Sequence, residues 1–94
     1  MFNIKIDDGK KVTIIGRFSA ANTPDAENIF NSVKGDCIVD LKDLEYISSA
    51  GIGTLLKTYS RLKESGNTLK FINVNKHVNE VIRYSGLDRV FVIE

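Results

Sequence analysis

Two adjacent serines, Ser48 and Ser49, are the residues of this chain whose type and position are best suited to chemistry. They stand in a turn of small residues, with Ala50 and Gly51 directly after them. A serine at the start of a helix can cap the free backbone N–H groups there. It can also accept a phosphate, because a helix N-terminus tolerates negative charge. The pattern by itself leaves both interpretations open.

The elements on either side place these serines between a strand and a helix. The apolar run at residues 36–41 predicts a central strand, either covered on both faces or lying in the middle of a sheet. An amphipathic pattern follows the serines and predicts a helix over residues 51–64, with Gly66 as its C′ residue. The apolar positions on one face of this helix are Ile52, Leu55, Leu56, Tyr59 and Leu62.

The rest of the chain alternates strands and helices. The order ββαβαβαβ predicts an α/β fold, as a single domain over residues 1–94 with a mixed sheet of about five strands and three to four helices. Residues 42–47 are expected to be the connection from the central strand to the turn that holds the two serines. The main expected elements are strands at residues 12–17, 36–41, 68–73 and 90–93, and helices at residues 24–33, 51–64 and 76–84.

Several turn and cap residues support these boundaries. Asp8-Gly9 predicts a hairpin turn between the first two strands. Thr23 is expected to be the N-cap of the first helix, with Pro24 at its first position. Asn75 is expected to cap the third helix, and Gly86 to end it. Asp43 is assigned to a local turn.

Composition limits the possible functions. The chain has 94 residues, of which 27% are charged, and a net charge of +1. This balance favours neither nucleic acid nor an anionic membrane as a partner. The single cysteine, Cys37, can form neither an internal disulfide nor a cysteine-rich metal site. The absence of a signal-like or membrane-spanning segment predicts a cytoplasmic protein.

The remaining motifs do not predict an enzyme. His77 is the only histidine, and no nucleophile motif accompanies it. Gly51-Ile52-Gly53 lacks the third glycine of a dinucleotide loop, because Leu56 stands there. Ile47 stands where a Gly-x-Ser-x-Gly elbow around Ser49 would need glycine. We therefore expect no catalytic residue, no metal and no cofactor.

The segment from Asp43 to Gly53 resembles the signature of the STAS domain, named after sulfate transporters and anti-sigma factor antagonists. The matching residues are Asp43-Leu44, Ile47, Ser48-Ser49-Ala50-Gly51-Ile52-Gly53 and Leu56. The serine that is phosphorylated in the antagonists falls on Ser49. The acid that precedes it in the family falls on Ser48, and a second acid, often found in the loop after the second strand, falls on Ser19.

The resemblance implies an anti-sigma factor antagonist. Such a protein would bind an anti-sigma factor that is also an ATP-dependent serine kinase, and so free a sigma factor. Phosphorylation of Ser49 would release the anti-sigma factor, and a serine phosphatase would reset the switch. The implied partner-binding residues are Ser19, Asn22, Thr23, Ser48, Ser49, Ala50, Gly51, Ile52 and Gly53.

Two alternatives stay open at this point. The chain could instead be a STAS adaptor subunit of a transport assembly that works without phosphorylation. Gly51 and Gly53 could serve close packing of the helix on the sheet, or the close approach of a partner's backbone. Sequence spacing does not separate these possibilities.

Overall fold

The structure is a computed structural model that describes all 94 residues. It confirms the α/β class and the mixed sheet, which has six strands. The strands are β1 (Phe2–Asp7), β2 (Lys11–Phe18), β3 (Cys37–Asp40), β4 (Leu44–Ile47), β5 (Leu69–Ile72) and β6 (Val92–Ile93). The helices are α1 (Thr23–Asn31), α2 (Ser49–Glu64) and α3 (Lys76–Tyr84), with short 3-10 turns at Ala20–Asn22 and Leu87–Arg89. None of the helices is both long enough and apolar enough to span a membrane.

The sheet runs in the order β1-β2-β3-β5-β6, and β4 pairs with β2 away from this path. The hairpin of β1 and β2 is antiparallel, and its Asp8-Gly9 turn has positive φ at both residues, as a type I′ turn requires. All the other pairs are parallel. The carboxyl ends of β2, β3, β4 and β5 therefore point toward the same edge of the sheet, where ligand and partner sites of α/β folds are commonly found.

Strand β4 lies within the segment that was predicted to be only a connection, so the expected order ββαβαβαβ lacked one strand. Its burial does not alternate, because Leu44 and Ile47 are buried and the two residues between them are not. The strand is stabilised by pairing with the second half of β2, beyond the point at which β3 ends. Asp43 does lie in a turn, which the Leu44 N–H closes by donating to the Leu41 carbonyl at 3.2 Å. The carboxylate that caps this turn is that of Asp40, whose Oδ1 accepts a hydrogen bond from the Lys42 N–H at 3.0 Å.

All three helices pack on one face of the sheet and form a single core with it. The largest fully buried side chains are Phe18, Phe30 and Phe71. Strand β3 does lie in the middle of the sheet, but it is not covered on both faces, since the side chain of Ile38 is 39% exposed. One face of the sheet is therefore free of any helix.

The bounds of α3 are those predicted, whereas α1 and α2 differ from the expected ranges by one or two residues at an end. Helix α1 begins at Thr23, so Thr23 is not its N-cap; its hydroxyl donates instead to the Ala20 carbonyl at 3.0 Å. Helix α2 begins at Ser49, two residues earlier than predicted. The predicted N-cap of α3 is confirmed, because Asn75 Oδ1 accepts from the Val78 N–H at 2.9 Å.

The ends of the other elements follow local geometry. Gly66 and Gly86 have φ of +81° and +78° directly after the C-caps of α2 and α3, which confirms both as C′ residues. The closing strand is shorter than expected, because the chain before it forms the 3-10 turn Leu87–Arg89.

Arg61 ties α2 to the end of α1. Its guanidinium donates to the Phe30 carbonyl at 2.8 Å and to the Val33 carbonyl at 3.1 Å. The Phe30 carbonyl lies in the last turn of α1, where the regular helical acceptor pattern ends, and the Val33 carbonyl lies just beyond the C-cap Ser32. We expect Arg61→Ala to lower the free energy of unfolding by about 2 kcal/mol, in the range for hydrogen bonds to a charged group.

Urea denaturation would measure this effect, with Lys63→Ala as the matched control for an exposed cation on the same helix. Arg61→Lys is expected to recover only part of the loss, because an ammonium lacks the planar fork that reaches both carbonyls. Equal stability of Arg61→Ala and Lys63→Ala would show that the bridge contributes nothing.

Candidate functional site

The two segments that the sequence singled out meet at the carboxyl edge of the sheet. Phe18, the last residue of β2, lies opposite Ile47, the last residue of β4. The Ser48 N–H donates to the Phe18 carbonyl at 2.9 Å. The loop after β2 and the start of α2 therefore leave the sheet side by side, and the 3-10 turn of that loop packs against α2.

Ser48 is the N-cap of α2. Its backbone is extended, and its Oγ accepts from the Gly51 N–H at 3.1 Å. This bond satisfies one of the N–H groups that the first helical turn leaves free. Aspartate at this position would be an equally good cap.

Ser49 is the first residue of α2 and is exposed. Its hydroxyl makes no hydrogen bond within the protein, in contrast to that of Ser48. The N–H groups of Ser49 and Ala50 have no intrahelical acceptor, and the positive end of the helix dipole lies here. The structure thus separates the two serines: one caps the helix, and the other presents a free hydroxyl.

This division predicts different stabilities for two alanine variants. Ser48→Ala should lower the free energy of unfolding by about 1 kcal/mol, because it removes a helix cap. Ser49→Ala should change it by less than about 0.5 kcal/mol, as is usual for an exposed side chain without contacts. Thermal denaturation of the two variants side by side checks this, and Ser48→Asp should keep the wild-type stability. A larger loss in Ser49→Ala than in Ser48→Ala would contradict the assignment of the cap.

The loop after β2 is closed by its own hydrogen bonds. Asn22 Oδ1 accepts from the Ser19 N–H at 3.0 Å and from the Ser19 hydroxyl at 2.9 Å. The Asn22 N–H in turn donates to the Ser19 carbonyl at 3.0 Å. Together with the bond from the Thr23 hydroxyl to the Ala20 carbonyl, these bonds hold Ser19, Asn22 and Thr23, all half-buried, in one arrangement beside α2.

The structure distinguishes Gly51 from Gly53. A Cβ on Gly51 would lie 2.8 Å from Ile47 Cγ1 and 3.2 Å from Phe18 Cγ, so this glycine lets α2 pack closely on the sheet. A Cβ on Gly53 would meet nothing within 4 Å, and this residue is exposed. The side chain of Ile52 is only 6% exposed and belongs to the core. Gly51 and Ile52 therefore pack against the sheet and the core, whereas Ser49, Ala50 and Gly53 are exposed to solvent.

We call the exposed residues Ser49, Ala50 and Gly53, together with the adjoining loop Ser19–Thr23, the serine surface. Neither residues 18–24 nor residues 46–56 contain a charged side chain, although 27% of the whole chain is charged. The nearest ion pair on α2 joins Lys57 to Glu27 on α1 at 3.8 Å. The serine surface is thus an uncharged area of small residues around one free hydroxyl.

Arg17 and Tyr46 border this area and were not predicted from the sequence. They lie opposite each other in the pairing of β2 and β4, and the Arg17 guanidinium is 4.4 Å from the centre of the Tyr46 ring. Their contact depends on the pairing of β2 with β4, and β4 was not predicted because its apolar pattern is short and irregular. Each stands two residues before a predicted site serine, Ser19 or Ser48, which is the signal that could have found them.

The two groups with shifted pKa values lie outside the serine surface. Burial raises the pKa of the Cys37 thiol to about 11, so this cysteine stays protonated in the core. For Asp40, partial burial acts to raise the pKa, but hydrogen bonds from Lys42 and Asn73 and the charge of Lys11 outweigh it, and the net pKa is lowered. No group of three or more His, Cys, Asp or Glu residues is placed to hold a metal ion.

Comparison with protein families yields a match over nearly the whole chain. The family model described as "Mlab, STAS domain" matches residues 8–94. A curated relative, the anti-sigma F factor antagonist of Paenibacillus polymyxa, is 29% identical over 56 residues, which are 60% of this chain and 48% of that protein. The matched region thus spans about half the length of this relative.

Solved structures share the fold. An anti-sigma factor antagonist from Mycobacterium paratuberculosis superposes with a TM-score of 0.81 at 21% identity, covering 99% of this chain and 83% of the other. The Bacillus cell fate determinant SpoIIAA in its phosphorylated form gives a TM-score of 0.72 at 16% identity, covering 100% of this chain and 91% of the other. At these identities the likeness is one of fold.

Proposed function

Because the chain belongs to the STAS domain family, we propose that it is an anti-sigma factor antagonist switched by phosphorylation of Ser49. Unmodified, it binds an anti-sigma factor through the serine surface and so frees a sigma factor. Modified, it releases the anti-sigma factor, and a serine phosphatase restores it. In this proposal the chain acts in the cytoplasm, is a substrate of the anti-sigma factor's kinase activity, and performs no catalysis itself.

One observation carries the proposal: Ser48 caps α2 and leaves the hydroxyl of Ser49 exposed and free. A kinase can reach such a hydroxyl without opening the fold. The helix N-terminus beside it accommodates the phosphate, because its N–H groups and dipole favour negative charge. The curated relative, which is an anti-sigma F factor antagonist, supports the choice of partner.

The lack of charge on the serine surface supports the switch. A phosphoserine carries roughly two negative charges at neutral pH. Residues 18–24 and 46–56 contain no cation that would neutralise this charge, so a partner bound to the serine surface must meet it. A single modification therefore changes the surface that the partner contacts while it leaves the core intact.

The first step of the test is affinity capture of the partner. A tagged Ser49→Ala protein, which the proposal holds in the binding-competent form, should retain the anti-sigma factor. Purified anti-sigma factor and ATP should then phosphorylate the wild-type protein at Ser49, as located by mass spectrometry. Ser48→Ala should still be labelled, and Ser49→Ala should not.

Two outcomes would contradict the proposal. Undiminished labelling of Ser49→Ala would place the acceptor elsewhere. Retention of a transport ATPase or permease in place of an anti-sigma factor, with no labelling by ATP, would show a STAS adaptor subunit of a transport assembly.

A further inference from the structure

A second surface lies at the end of α3, at the edge of the sheet opposite to the edge that carries Ser49. Helix α3 connects the parallel strands β5 and β6, so it must run from the carboxyl edge of the sheet back to its amino edge. Its last residues, with the 3-10 turn that follows, line an open cleft of about 610 Å³. The lining residues are Glu80, Arg83, Tyr84, Gly86, Asp88 and Arg89.

The charges of this cleft are balanced and unpaired. Two arginines and two carboxylates line it, and none of the four takes part in the three ion pairs of the chain. Tyr84 stands among them with 93% of its side chain exposed. Tyrosine and arginine are the residue types most often found at the energetic centre of protein interfaces.

An exposed apolar side chain extends the cleft. Val90 directly follows the 3-10 turn and is 38% exposed. Together with Tyr84 it accounts for two of the five large hydrophobic side chains that the chain exposes. We call the lining residues of the cleft, together with Val90, the C-terminal patch. Apolar groups bordered by charged ones are the usual anatomy of an interface.

We propose that the C-terminal patch binds a second copy of this chain in a two-fold symmetric dimer. In a two-fold symmetric interface the same patch of both copies comes together. A patch with equal numbers of positive and negative charges can therefore place each charge opposite a charge of the other sign on the second copy. A partner with charges of one sign only would pair with two of the four charged side chains and would face the other two with a charge of the same sign. The net charge of +1 gives little long-range repulsion between copies.

The dimer should be weak and should leave Ser49 free. The patch consists of seven residues, fewer than the roughly 20 to 30 residues that each partner contributes to a stable interface. Because the serine surface lies at the opposite edge of the sheet, both copies keep it available. Dimerisation therefore does not depend on the function proposed for Ser49.

The test uses the protein alone in a phosphate-free buffer. Sedimentation velocity from about 10 µM to about 1 mM should show the average mass rising from monomer toward dimer, as expected for a small interface. Backbone amide NMR spectra over the same dilution series should shift in residues 80–90. A monomer at every concentration, or shifts confined to the free face of the sheet, would overturn the proposal.

Complementary variants test the pairing of charges. A double variant Arg83→Glu, Arg89→Glu and a double variant Glu80→Lys, Asp88→Lys should each be monomeric across the whole range. Mixed in equal amounts, they should associate again, because the opposite charges then meet across the interface. Failure of the mixture to associate would overturn the two-fold arrangement.

Two further measurements complete the design. Lys76→Glu, an exposed cation at the other end of α3, is the matched control and should dimerise like the wild type. Tyr84→Ser should weaken association at least tenfold and leave the melting temperature unchanged, since the side chain is exposed. Inorganic phosphate is the probe for an anion site: saturable shifts at fixed protein concentration, without any change on dilution, would assign the cleft to an anion and contradict the dimer.

Discussion

Phosphorylation of Ser49 is expected to weaken binding of the anti-sigma factor by about a hundredfold or more. The phosphate adds roughly two negative charges to a surface that has none. The net charge of the chain would fall from +1 to about −1. Burying an unpaired charge in an interface costs several kcal/mol, and each 1.4 kcal/mol is a tenfold change in affinity.

The same modification should leave the fold intact. Ser49 is exposed at the first position of α2, and its hydroxyl bonds to nothing that the phosphate would displace. The helix dipole offsets part of the added charge. The melting temperature of the phosphorylated protein should thus stay close to that of the unmodified one, while the affinity falls.

Titration calorimetry with the anti-sigma factor measures this loss, using unmodified protein, protein with phosphoserine at position 49, and Ser49→Ala. Ser49→Ala should bind like the unmodified protein. Ser49→Asp should fold and bind with intermediate affinity, because one carboxylate carries less charge than a phosphate. If phosphoserine at position 49 lowered the melting temperature sharply, the loss of binding would reflect unfolding instead of a local change of charge.

Gly51→Val is expected to lower the free energy of unfolding by about 2 to 3 kcal/mol, the range for overpacking a well-packed site. Any Cβ at this position overlaps Ile47 Cγ1 and crowds the ring of Phe18. Neither atom is the free end of a flexible side chain, so α2 must move away from the sheet. For a domain of this size the melting temperature should fall by roughly 10 to 20 °C.

Gly53→Val is the matched control, since it makes the same change two residues further along the helix. A Cβ there meets no neighbour, so the stability should stay within about 0.5 kcal/mol or rise slightly. Binding of the anti-sigma factor should nevertheless weaken in Gly53→Val, because the added side chain projects from the serine surface. Equal stability of the two variants would contradict close packing at Gly51.

The sequence predicted the elements with strong periodicity and failed where tertiary contacts decide. The long apolar face of α2 and the cap at Asn75 were evident from local patterns. Strand β4 was not, because its four residues carry only two buried side chains and its partner, the second half of β2, is distant in the chain. The contact of Arg17 with Tyr46 was missed for the same reason.

The candidate site shows the same limit at the scale of single residues. Spacing placed Ser48 and Ser49 at a helix start, but the division between cap and free hydroxyl depends on where the first turn begins. That point is fixed by the hydrogen bond from the Ser48 N–H to the Phe18 carbonyl across two strands. Likewise, the different environments of Gly51 and Gly53 arise from Ile47 and from Phe18, and Phe18 lies more than thirty residues earlier in the chain.

The measurement that tests the central proposal most directly is the release of a sigma factor. A labelled sigma factor bound to its anti-sigma factor is titrated with unmodified protein and with protein carrying phosphoserine at position 49. We predict that the unmodified protein displaces the sigma factor, and that the phosphorylated protein requires about a hundredfold higher concentration. Displacement at equal concentrations by both forms would contradict the switch, and displacement by neither would contradict the assignment as an anti-sigma factor antagonist.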